Sequence, residues 1–172
     1  MRHIIIKYYY TGWQRAVLPA TADVERAPEL ARVVKVYNEL AAADGFPAAN
    51  HIIMTHYVDG QHSIGMHYDK PVSIQKKSLI TVVKTGERGR PFRLETLDGA
   101  LLMQRALAPG TAVIMTLEAN LKTKHGVSAV EEAGSSGSIV FRSITDRVSW
   151  STLEKELVKF YAEKKRKAGE EK

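Results

Sequence analysis

The chain has 172 residues, an apolar fraction of 44%, no cysteine and a formal net charge of +6. That length is enough to bury a real core in one domain spanning 1–172, and the lack of cysteine excludes disulfides, cysteine-held zinc and iron–sulfur clusters. Any metal must then be held by histidine and carboxylate. No segment approaches the roughly 20 apolar residues of a membrane helix, and the apolar part of Met1 to Lys7 is too short for a signal peptide. We therefore expect an intracellular protein, cytoplasmic or nuclear, with no membrane span. The positive charge, part of it in Lys164-Lys165-Arg166-Lys167, suits a polyanionic partner.

His3 to Tyr10 is β-rich, with Ile4, Ile6 and Tyr8 on one face and Ile5 and Tyr9 on the other. After Gly12, Trp13 to Ala20 is a second strand or a covering loop. Pro28 opens a helix in which Leu30, Val33, Val34, Tyr37, Leu40 and Ala41 recur at spacings of three and four, and Gly45 and Pro47 end it. Beyond Asn50 the period changes to that of strands: Ile52–Val58, Ser63–Tyr68, Ser78–Lys84, Phe92–Thr96, Ala100–Ala106, Ala112–Leu117, Lys124–Val130 and Ser138–Ile144. Glycine-containing breaks separate several of these strands, and Leu97-Asp98-Gly99-Ala100 is a tight hairpin turn. Ser151-Thr152-Leu153-Glu154 is a capping box for a last helix, 151–167, with Leu153, Leu157, Phe160 and Tyr161 on its apolar stripe. About eight short strands after one helix predict a mainly β protein with flanking helices and a jelly-roll, cupin-like core (a double-stranded β-helix).

His67 and Asp69 stand two apart at a strand end, so both point to one face. His125 falls in a later strand, with four predicted strands between to return the chain. Two histidines and one carboxylate form the facial triad of non-haem Fe(II) oxygenases, which leaves coordination positions open. Arg142, on the strand after His125, is a cation directed at a core and calls for an anion. His56 and His62 read as solvent-face or cleft-edge residues.

Taken together, Tyr57-Val58-Asp59-Gly60 with Ile64-Gly65-Met66-His67-Tyr68-Asp69, Leu107 to Met115, and Phe141-Arg142 resemble the AlkB-like branch of the 2-oxoglutarate/Fe(II)-dependent dioxygenases. The similarity runs over roughly residues 30 to 145, with the metal and co-substrate core at about 50–145. It implies Fe(II) held by His67, Asp69 and His125, with O2 and 2-oxoglutarate as co-substrates. It also implies that Arg142 pairs with a 2-oxoglutarate carboxylate and Tyr57 hydrogen-bonds the co-substrate, with Thr55 and Ser138 completing the set. Thr55 stands where the family has asparagine, and Ser136 where it has a second arginine. Lys84 and Arg93 are the candidate replacements for that cation; otherwise the co-substrate is another keto acid or a different reductant.

The resemblance further implies hydroxylation or demethylation of a nucleic-acid base, presented single-stranded or flipped from the stack. Tyr8, Tyr10, Trp13 and Arg15 form a candidate lid, with edge-strand packing as their alternative role. Arg88, Arg90, Arg93, Lys76 and Lys77 are candidate phosphate contacts. The same chemistry on a protein side chain or small metabolite, and a non-catalytic cupin-like binding domain, are the alternatives.

Overall fold

The computed structural model describes residues 16–17, 28–71, 74–131, 134–145 and 147–148, with helical positions at 158, 159, 162 and 166. The expected His3–Tyr10 strand, the candidate lid of Tyr8, Tyr10, Trp13 and Arg15, and most of the 151–167 helix lie outside the described residues.

Strand β1 (Ala16–Val17) pairs in parallel with β10 (Arg147–Val148). Helix α1 (Pro28–Ala43) follows β1. The chain then forms β2 (His51–Tyr57), β3 (Ile64–His67), β4 (Leu79–Gly86), β5 (Arg90–Thr96), β6 (Leu101–Leu107) and β7 (Ala112–Thr116). A short helix, α2 (Leu117–Lys122), leads into β8 (Thr123–Val127) and β9 (Ser136–Arg142). These eight strands make two antiparallel sheets, ordered β2-β9-β4-β7 and β3-β8-β5-β6. From β2 to β9 the chain changes sheet at every step except the β5–β6 hairpin, whose turn is closed by Thr96 and Ala100 with Gly99 at φ +96°. That is jelly-roll topology, as the strand pattern predicts.

Period-two alternation decides which side of each strand does what. On the first sheet, Ile52, Phe141, Val83 and Ile139 face outward and pack under Ala31, Val34 and Tyr37 of α1. The Tyr37 ring stacks on Phe141 at 4.6 Å, and its hydroxyl reaches Thr81 Oγ1 at 3.0 Å. The opposite side faces the second sheet, where Phe92, Leu107 and Val127 form one apolar cluster and Ile74, Ile80, Val82 and Met115 another. Helix α2 departs from the expected run of strands. Thr116 accepts a bond from the Ala119 N–H and caps it, and Leu-Glu-Ala-Asn-Leu-Lys then favours helix. Among the described residues no helix is long and apolar enough to cross a membrane.

Candidate metal and co-substrate site

The sheet interior opens to a cavity of about 520 Å³ lined by Ile53, Thr55 and Tyr57 of β2, Val82 of β4, Ser138 and Val140 of β9, and residues 64–70 and 125–127. His67 and His125 are direct cross-strand partners on β3 and β8, with ring centroids 4.5 Å apart. Glycine at 126 permits this approach, since a Cβ there would lie 2.8 Å from the Ile64 carbonyl oxygen and 2.9 Å from Met66 Sδ. Phe92 lies behind His125 with its ring near parallel, at 5.9 Å.

Asp69 is not in the strand, which ends at His67. Its position is set instead from α2 and β9. Buried Asn120 clasps the Asp69 backbone with two 2.8 Å bonds, its Oδ1 accepting from the Asp69 N–H and its Nδ2 donating to the Asp69 carbonyl. Arg142 Nη1 lies 2.9 Å from Asp69 Oδ2, both residues being buried. The other carboxylate oxygen, Oδ1, is 3.9 Å from His67 Nε2. Ligand atoms of His67, Asp69 and His125 all fall within 4.8 Å of one another.

The protonation states fit a divalent cation. His67 Nδ1 is 2.8 Å from the Gly65 carbonyl, an acceptor only, so that nitrogen carries a proton and Nε2 is the ring position left to face a metal. Burial, with neighbouring His67 and Arg142 adding to it and Asp69 opposing, lowers the His125 pKa to about 4, and the ring is neutral at physiological pH. A neutral imidazole is what a metal requires.

The remaining sequence candidates separate clearly. Ser138 pairs with Thr55 on one side and Lys84 on the other, so the three form one row across the first sheet. Tyr57 is buried, with the Ser138 hydroxyl the group close to its own. Burial raises its pKa, while nearby Ser138 and Arg90 oppose the shift. Ser136, where the resemblance places an arginine, is buried, and its Oγ has no hydrogen-bond partner. Of the two candidate replacements, Arg93 is partly exposed and ion-paired with Glu95, while Lys84 is 1% exposed with its ammonium 5.1 Å from the Tyr57 ring centre.

Arg90 is not a surface phosphate contact. It is buried and donates to the carbonyls of Asp59, Gly60, His62 and Ser128, tying down the loop after β2. His56 and His62 are exposed, as expected. His51, paired with Arg142 across β2 and β9, is fully buried, and burial reinforced by Arg142 lowers its pKa to about 2. Asn120 had no reading from sequence; the Thr116-capped helix signal was the clue to it.

No protein-family model and no curated protein matches the chain. Among solved structures it is similar to a prolyl-4-hydroxylase from Pseudomonas putida, at 16% sequence identity and a TM-score of 0.40. The match covers 54% of this chain and 50% of that one, so the chain spans about half the length of that structure.

Proposed function

We propose that the protein is a non-haem Fe(II)- and 2-oxoglutarate-dependent dioxygenase. The observation that carries this reading is the convergence of His67, Asp69 and His125 within 4.8 Å at the wall of a cavity. Two imidazoles and one carboxylate are a hard-to-borderline donor set suited to iron, and three protein ligands leave room for a chelating co-substrate. His67, Asp69 and His125 would hold Fe(II), and the chemistry it would supply is oxidative decarboxylation of 2-oxoglutarate by O2 to succinate and CO2, with the second oxygen atom going to a substrate C–H bond.

The chain's own residues set the conditions for that chemistry. Arg142 engages one Asp69 oxygen and leaves the other directed at the histidines. The Gly65 carbonyl fixes the His67 tautomer, and Asn120 anchors the backbone that carries the aspartate. Ile53, Val82, Phe92, Val127 and Val140 line the cavity and restrict water beside the metal position.

For the substrate we propose a nucleic-acid base, hydroxylated or demethylated. The net charge of +6 favours a polyanion, and the resemblance noted above points to bases. Tyr68, 43% exposed, and Lys70 supply an aromatic face and a cation on the cavity wall. The test is anaerobic loading with Fe(II), then air, 2-oxoglutarate and oligonucleotides carrying alkylated bases. Succinate should form together with the altered base in the native protein, and neither in His67→Ala. Succinate stimulated by peptides or metabolites but by no oligonucleotide would move the substrate to another class. No iron binding at all would leave a β-barrel binding domain.

A further inference from the structure

His51 opens β2 and is fully buried, a titratable ring that the metal chemistry does not use. Its direct register partner on β9 is Arg142. Cross-strand partners point to the same face, with Cβ atoms about 5 Å apart. Period-two alternation along β2 turns that face inward, since Ile53, Thr55 and Tyr57 line the cavity. The Arg142 charge acts on His51 and also on His125, lowering the pKa of both rings. Arg142 therefore has His51 on one side and, through Asp69, the metal ligands on the other.

Both ends of the Asp69–Arg142 ion pair are fixed by an asparagine. Asn120 holds the Asp69 backbone. Asn50, the residue before His51, holds the β9 end. Its N–H donates to the Arg142 carbonyl at 3.0 Å, its Nδ2 donates to the Ile144 carbonyl at 3.0 Å, and its Oδ1 accepts from the Ile144 N–H at 2.8 Å. Between these two residues, Ser143 donates through its N–H to Ser78 Oγ and through its hydroxyl to the Ala48 carbonyl. The strand pair is thus pinned where His51 meets Arg142, and the ring cannot slide away from the guanidinium.

We infer that His51 is a positioning residue for the metal site: its imidazole stands beside the Arg142 guanidinium and holds it on Asp69. The inference rests on the dioxygenase reading, because the property it sets is iron affinity. A residue in that place must be polar enough to lie against a guanidinium and must not claim its charge. A carboxylate there would compete with Asp69 for Arg142, and an ammonium would repel it. A neutral imidazole accepts one N–H through its lone pair and brings no charge. Burial, reinforced by the guanidinium, keeps the ring neutral across the physiological range. With the guanidinium held, Asp69 Oδ2 stays paired with Nη1, and Oδ1 stays turned toward His67 Nε2. Without His51 the guanidinium is free to rotate, and the carboxylate turns with it and offers the metal a poorer geometry.

The test is a double-substitution cycle read by anaerobic Fe(II) affinity, in competition with a coloured chelator. His51→Leu keeps the site filled and removes the lone pair. It should weaken Fe(II) binding about 10-fold, the lower end of the range for groups behind metal ligands. His51→Gln, whose amide oxygen can accept from a guanidinium, should bind Fe(II) more tightly than His51→Leu and close to the native protein. In an Arg142→Gln background, itself weakened but measurable on the same scale, His51→Leu should have no further effect beyond about twofold, the scatter of independent sites. His51→Phe, a flat ring without nitrogen, takes the place of His51→Leu if that protein does not fold. A histidine that only fills the core would change thermal stability and leave iron affinity alone. Native-like affinity in His51→Leu therefore overturns the inference, as does His51→Gln as weak as His51→Leu. Equal loss in both backgrounds also overturns it, because His51 then acts other than through Arg142. A native protein that binds no Fe(II) overturns the dioxygenase reading and this inference with it; iron binding indifferent to His51 overturns this inference only.

Discussion

At the His67 end of the cavity, Arg142 meets Asp69 at 2.9 Å and Asn120 clasps the aspartate's backbone on both sides. At the Tyr57 end, Lys84 Nζ and Ser136 Oγ are just as deeply buried but have no hydrogen-bond partners. Both regions take polar groups out of water; the aspartate of the metal end is held from within the fold, although His125 Nδ1 there has no hydrogen-bond partner. A network that satisfies itself rigidifies its members, which is what a set of metal ligands needs. Groups left unsatisfied destabilise the empty fold and gain most when a ligand arrives. Substitutions at the metal end should therefore cost metal binding, whereas the far end should become more stable when its lysine is removed.

The largest effect should come from His67→Ala. It removes a ligand that is partly exposed, so iron binding and turnover should fall below detection while the thermal midpoint of the metal-free protein changes little; metal analysis and calorimetry read the two separately. Asp69→Ala should lose the metal and also take the paired carboxylate from the buried Arg142 cation, costing about 3–5 kcal/mol in denaturant unfolding. Equal stability of the two variants would remove the distinction between an interior ion pair and a partly exposed ligand. Asn120→Leu keeps the ligands and removes the clasp, and about a 10- to 100-fold loss of Fe(II) affinity is expected, the range seen when groups behind metal ligands are replaced.

The smallest effect has the opposite sign. Lys84→Met should stabilise the ligand-free protein by about 1–3 kcal/mol at neutral pH, the cost of an unsatisfied buried group. Burial, with Arg90 adding to it, lowers the lysine from 10.5 to about 8 in the folded protein. Below pH 8 the lysine is charged in both states and the folded state bears the full penalty. Between 8 and 10.5 the unfolded chain holds the proton that the folded one releases, so native stability rises with pH. The advantage of Lys84→Met should therefore be greatest below pH 8 and shrink toward 10.5. Unfolding of both proteins at pH 7 and pH 10 measures the difference.

Much of this was legible in the sequence. Alternation predicted all eight strands of the two sheets, because a strand buried on one side must repeat every second residue. His67, Asp69 and His125 could be paired because a ligand set of limited residue types leaves few combinations. Other features depend on contacts that no local pattern records. The sequence places Asp69 at a strand end, and the contact that holds its backbone comes from Asn120, 51 residues away. The resemblance gives Arg142 a co-substrate carboxylate, and the ion pair of its Nη1 with Asp69 Oδ2 is a second contact that no local pattern records. Arg90 and Arg93 look alike as loop-side cations, yet one is buried among carbonyls and the other pairs with Glu95. Lys84 stood out only as one of two candidates for a missing arginine; its register beside Ser138 and Thr55 separates it from Arg93.

The most direct test of the central claim is an anaerobic titration of the purified protein with Fe(II) and then 2-oxoglutarate, following the visible metal-to-ligand charge-transfer absorption. A saturable band that requires both components and is absent from His67→Ala is expected. A folded protein that binds no Fe(II), or that binds it and gives no band with any 2-oxo acid, would contradict that claim.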